Sequence, residues 1–181
     1  MKPYLLLPLL LLLLPLSAVI QDLLPGLPPA QERLLLLPVV FCFGALALPL
    51  LPALFFALAA AVIEGLVTLQ VVSGQAEFGL TAPVVFFLGW TILLQMAGEA
   101  SRGMRWELHA IGSALVTLTL LGGQFLLLCA HRGGFPVDLT VVLRIAVPAA
   151  ASLLLAPPLY LALAPLVPLS PQTQKLPGLG D

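Results

Sequence analysis

LLLLPVVFCFGALALPLLPALFFALAAAVIEGLVTLQVV, residues 34–72, holds 39 residues and a single charged side chain, Glu64. An α-helix rises about 1.5 Å per residue, so one helix of this length would be nearly twice as long as the ~30 Å hydrocarbon core of a bilayer is thick. The stretch therefore reads as two helices. Pro49-Leu50-Leu51-Pro52 supplies the break, giving spans at about 34–48 and 51–72 joined by a turn without charge. A hairpin this apolar places the chain among polytopic membrane proteins.

Composition extends that reading to the whole chain. Of 181 residues, 61% are hydrophobic and 8% charged, and the mean hydropathy is +1.15. A soluble domain is nearer about 45–50% apolar and about 25% charged. Too much of a small domain's surface stays exposed for such a chain to be water-soluble. Disorder is excluded as well, because it needs low hydrophobicity and high charge.

Upstream of the hairpin, residues 4–20 form a first apolar run. Its Lys2 flank and the Ser17-Ala18 pair near its end also suit a cleaved signal peptide. The lack of a clean small-x-small site, and the spans that follow, favour a retained helix. A proline-rich polar connector covers 21–33. Downstream, 73–79 reads as a turn, followed by spans at 80–97, 108–130 and 139–167. The sequence thus predicts an all-α, integral membrane bundle of six transmembrane helices in one domain, residues 1–167. The Pro- and Gly-rich tail, 168–181, is expected to be disordered. Many of the eighteen prolines punctuate helix ends, whereas Pro157-Pro158 is expected to kink the last helix.

The charges are few and placed. Seven Lys+Arg against eight Asp+Glu give a net charge of −1. No basic stripe for nucleic acid and no polybasic segment for anionic lipid is present. Lys2, Arg102, Arg105 and Lys175 fall on one side of a six-span topology; Arg33 and Arg132 fall on the other, with Arg144 just inside span six. This bias points to both termini in the cytoplasm. Cys42 and Cys129 lie in or at the end of apolar runs and read as small buried hydrophobes.

Polar side chains inside spans are costly and so carry information. Span three bears Ala53, Ala57, Ala61 and Gly65 at four-residue spacing, a stripe that lets helix backbones approach closely, with Glu64 on its flank. The stripe reads as a helix-packing or partner interface. Glu64 reads either as a ligand- or partner-contacting carboxylate or as a structural, hydrogen-bonded one. Span four carries Thr91, Gln95 and Glu99, and span five carries His109, Ser113 and Thr117, with Gln124 seven residues beyond. Two such stripes suit a polar seam between spans four and five, or a ligand groove. Arg102, Arg105 and Trp106 make the main cytoplasmic loop, with Trp106 and Tyr160 as interfacial anchors and Trp90 deeper in the core. Neither histidine has metal-ligand spacing, and no nucleophile elbow or phosphate loop occurs. The reading is of a non-enzyme without cofactors or metals.

The layout resembles the bacterial rod-shape-determining membrane protein family, MreD. The matching pieces are the 34–72 hairpin, the Ala57/Ala61/Gly65 stripe with Glu64, Phe78-Gly79-Leu80-Thr81-Ala82, and the Arg102–Trp106 loop. Glu64 stands where the family usually has Asp, and Gln31-Glu32-Arg33 stands where it commonly has Pro-Asp. The resemblance covers about residues 5–165. It implies a scaffold in the bacterial inner membrane, part of the cell-wall elongation machinery, binding an MreC-like single-span protein and other rod-complex membrane proteins. In span count and hairpin the chain is also similar to the substrate-binding component of energy-coupling-factor vitamin transporters. That likeness implies the alternative, a small-molecule-binding membrane subunit of a transporter.

Overall fold

The computed structural model describes residues 3–24, 26, 34–67, 70–72, 75–77, 81–100, 105–132, 134 and 138–166. The helices are α1 (Pro3–Leu23), α2 (Leu37–Ala47), α3 (Leu50–Val67), α4 (Thr81–Ala100), α5 (Arg105–Arg132) and α6 (Leu139–Leu163). A 3₁₀ turn, Ala164–Leu166, extends α6. The proposed tail at 168–181 and most of the 21–33 connector lie outside the described residues.

Five of these helices are long and apolar enough to cross a membrane: α1, α3, α4, α5 and α6. The six expected apolar segments all appear as helices, but among the described residues only five reach the length of a span and the sixth, α2, is short. The 11 residues of α2 reach only about 16 Å, roughly half the hydrocarbon core. Prolines explain its length. Pro38 stands in the first turn, where a missing N–H costs nothing. At the other end Leu48 precedes Pro49, whose ring disfavours helical geometry in the residue before it. Leu48 is accordingly extended, with φ −93° and ψ 150°. Helix α3 starts at once, with Ala53 N–H donating to the Pro49 carbonyl at 2.9 Å.

The short helix is the hub of the bundle. Every residue from Leu37 to Ala45 is buried, and α2 packs against all five longer helices. A helix apolar all round belongs either in a protein core or across a bilayer, and this short one is enclosed by protein. Its aromatic residues knit the layers: Phe41 stacks on Phe56 of α3 (6.4 Å between ring centres) and meets Phe87 of α4 edge-on at 4.7 Å. Pairings also give helix direction. Phe41 meets Phe87, and further along Ala45 and Leu48 meet Gln95, so α2 and α4 run the same way. Leu94 lies against Gly112 and Gly98 against Leu108, so α4 and α5 are antiparallel.

Span three ends sooner than its apolar run suggests. Helix α3 stops at Val67, and Gln70–Val72 (β1) pairs antiparallel with Gln75–Glu77 (β2), in the register Gln70↔Glu77 and Val72↔Gln75. The β-branched Val71-Val72 pair suits a strand better than a helix end. The ends of other spans differ by a few residues from expectation, with α1 reaching Leu23 and α5 running from Arg105 to Arg132. Outside the bundle, large apolar side chains such as Leu12, Val85, Leu154 and Leu161 stay exposed. In water that surface would be prohibitive; in a bilayer it is the solvent-facing side.

Candidate functional site

The small-residue stripe of α3 faces inward. Ala53, Ala57, Ala60 and Ala61 are fully buried, as is Gly65. The helix packs against α1, α2 and α4. Close approach is most severe at the crossing with α2, where a Cβ on Gly44 would lie 2.2 Å from the Phe56 ring. The stripe is used for packing within the bundle, so its alanines offer no surface to another chain.

The two polar stripes are not bonded to one another. Both turn toward the ends of the short helix and toward α6. A helix leaves its first N–H and last C=O groups without partners, and lipid supplies none. At the start of α2, Gln21 Oε1 accepts from Leu36 N–H at 3.3 Å. At its end, Gln95 Nε2 donates to the Leu48 carbonyl at 2.9 Å and also to the Ala45 carbonyl. One glutamine from α1 and one from α4 thus fasten the two ends of α2. Thr91, one turn before Gln95, gives its hydroxyl to the Phe87 carbonyl of its own helix at 2.8 Å. Glu99 is exposed at the end of α4.

On α5, His109 Nε2 lies 3.0 Å from the Val39 carbonyl, which only accepts, so this nitrogen carries the hydrogen. The ring is fully buried. It meets Phe43 edge-on at 5.8 Å and Tyr160 at 5.9 Å. Its Nδ1 has no hydrogen-bond partner among the described residues. Ser113 donates to the His109 carbonyl (2.7 Å) and Thr117 to that of Ser113 (2.8 Å). Thr117 also pairs at 2.9 Å with Ser152 of α6, whose hydroxyl reaches the Pro148 carbonyl. The stripe on α5 therefore fastens α2 and α6 rather than α4.

Glu64 is 4% exposed and accepts from Gln124 Nε2 at 2.9 Å, linking α3 to the far half of α5. Of the loop residues, Arg102 lies outside the described residues, Arg105 opens α5, and Trp106 is half exposed. Tyr160 sits in the Phe43–His109 cluster and is half-buried. Trp90 is half-buried and packs near Phe86. Both cysteines are free and buried.

Sequence reasoning missed two of these fastenings. Gln21 reads as the first residue of a polar loop, and Ser152 as part of an apolar run. Ser152 has a detectable signal, since it lies four residues after Pro148, where a hydroxyl reaches back to a backbone carbonyl. Gln21 has none, because its partner exists only once the chain re-enters the bundle at Leu36.

Among the described residues no three His, Cys, Asp or Glu side chains come together as a metal site. No protein-family model, curated protein or solved structure matches the chain.

Proposed function

We propose that this protein is a non-enzymatic membrane scaffold of the bacterial cell-wall elongation machinery, binding an MreC-like single-span protein in the inner membrane. The single observation that supports this best is where the polar groups go. Gln21, Gln95, His109, Thr117 and Ser152 hold α2 and α6 in place. A bundle whose polar side chains fasten helices is rigid, and a rigid apolar exterior suits lateral binding of other helices. Because the α3 stripe is buried, a partner helix would dock on the outer faces, where Gly89 of α4 and Gly122 of α5 have open space around them. The family resemblance supplies the choice of machinery and partner.

The test is depletion in the native host together with pull-down from detergent extract. The proposal expects widened or rounded cells, mislocalised wall insertion, and recovery of an MreC-like single-span protein. Normal width and normal insertion after depletion would refute it.

A further inference from the structure

Helix α6 leaves two backbone acceptors stranded in the bilayer. Pro157 and Pro158 both lie inside it. A proline has no N–H, so the carbonyl four residues earlier loses its helical donor, and the proline ring abuts that carbonyl. Leu153 and Leu154 are the two residues affected. In membrane helices a neighbouring side chain commonly supplies the missing hydrogen bond. Among the described residues none does: the Ser152 hydroxyl goes to Pro148, and no side chain donates to Leu153 or Leu154. Leu153, Leu154 and Pro158 are all exposed, Leu154 by 75%, so these carbonyls lie on the outer face. They sit near the middle of the 28-residue apolar stretch Leu139–Leu166, where a bilayer holds no water.

Helix α4 carries the converse, a donor without an acceptor. Trp90 lies at the middle of Thr81–Ala100, half-buried beside Phe86. Membrane tryptophans favour the interface, where the indole N–H can meet a polar partner. Here that N–H, which can only donate, has no acceptor among the described residues and is not sealed inside the bundle. The exposed hydroxyl of Thr119 gives its hydrogen to carbonyls of its own helix, so it is already committed.

Donor and acceptors lie at one depth. Leu94 meets Gly112 across the antiparallel α4–α5 pair, which puts Trp90, one turn before Leu94, level with Val116, one turn after Gly112. Thr117 meets Ser152 across α5 and α6 at 2.9 Å, which puts Val116 level with Leu153. Within one copy α5 stands between α4 and α6: both pack on it and not extensively on each other. Copies of one chain share an orientation in the membrane, so any symmetry axis relating them runs along the membrane normal and preserves depth.

We propose that this protein associates with a second copy of itself, the α4 face at Trp90 of one copy docking on the α6 face at Leu153 and Leu154 of the other. The indole N–H donates to one of the two stranded carbonyls, and the apolar side chains around it fill the contact. The same two faces exist on every copy, so the contact closes either a twofold dimer or a small ring. The inference goes beyond the scaffold reading and does not depend on it.

The test uses the full chain in phosphatidylcholine vesicles over a range of protein-to-lipid ratios. Gly89→Cys and Leu154→Cys are made as separate proteins; Gly89 has open space around it and Leu154 is exposed, so both should fold. Mixed together and oxidised with copper phenanthroline, they should give a band at twice the 19.0 kDa of one chain. Neither alone should do so, and Gly89→Cys mixed with Leu12→Cys, on the exposed face of α1, measures random collision. Background from Cys42 and Cys129 is read from the parent protein. Adding Trp90→Phe to the Gly89→Cys partner should weaken association about threefold, the worth of one interhelical hydrogen bond in a membrane. Adding Pro157→Ala and Pro158→Ala to the Leu154→Cys partner returns helical donors to Leu153 and Leu154. It should weaken association equally without lowering the unfolding temperature, which a merely damaged fold would lower. Cross-linking no greater than the Leu12 control overturns the proposal, as does cross-linking that ignores both sets of changes. Capture of Gly89→Cys by a different membrane protein in native membranes, with the purified chain monomeric, overturns it too, because the occupant would then be another chain.

Discussion

Gly44→Ala adds one methyl group at the crossing of α2 and α3. The added Cβ would lie 2.2 Å from Phe56 Cε1 and 2.7 Å from both Cδ1 and Cζ. Normal carbon–carbon contact is about 3.5–4.0 Å, so ring and helix must separate by more than about 1 Å. The ring has little room to move, because Phe56 is fully buried and stacks on Phe41, which is itself held by Phe87. Overpacking a filled core costs about 1–3 kcal/mol, occasionally more. Alanine returns up to about 1 kcal/mol through helix propensity. With a clash this deep, the balance is a net loss of about 1–3 kcal/mol. Gly98→Ala is the matched control, since its Cβ meets Leu46 at an ordinary 3.4 Å; it should be neutral or slightly stabilising. The assay is reversible unfolding in mixed micelles, followed by circular dichroism. Phe56→Leu combined with Gly44→Ala should recover part of the loss, a coupling that a double-mutant cycle measures. If Gly44→Ala is as stable as Gly98→Ala, the tight α2–α3 crossing and the hub role of α2 are both wrong.

Three further outcomes follow from the same packing. Gln95→Leu leaves the Ala45 and Leu48 carbonyls without their side-chain donor, and should destabilise the bundle by about 1–2 kcal/mol in the same unfolding assay; an unchanged midpoint would show that the α2 terminus does not need it. The Thr117–Ser152 hydrogen bond should show a coupling of about 0.6 kcal/mol in a Thr117→Val/Ser152→Ala cycle, the average for such bonds in membranes, and a coupling of zero would place the hydroxyls apart. Ala57→Leu puts a large side chain at a fully buried position and should shift the protein from a monodisperse peak to aggregate on size exclusion; a normal elution profile would mean that α3 turns this face to lipid.

Much of the architecture was legible because bilayer thickness leaves few choices. Apolar runs at 4–20, 80–97, 108–130 and 139–167 correspond to α1, α4, α5 and α6, as the interior of a bilayer admits only helices with satisfied backbones. The 34–72 run was harder. Its prolines marked the turn at Leu48–Pro49, yet hydropathy could not distinguish a spanning helix from a short one sealed within protein, since both are apolar on every side. The polar residues were legible as residues but not as pairs. Thr91/Gln95 and His109/Ser113/Thr117 have the spacing of helix faces, and spacing says nothing about which neighbour a face meets. Glu64 was visible as a carboxylate inside a span, and its partner Gln124 lies 60 residues away.

The sequence by itself determined the solvent of this protein, because an excess of apolar side chains over what a small core can hide leaves only a bilayer. It also determined where helices break, through proline's missing N–H and its effect on the residue before it. Tertiary structure alone decided that α2 is a buried hub of about half a span, and that glutamines from α1 and α4 close its ends. Those features arise between segments distant in sequence, where backbone groups stranded in an apolar medium take whichever side chain the packing brings within reach.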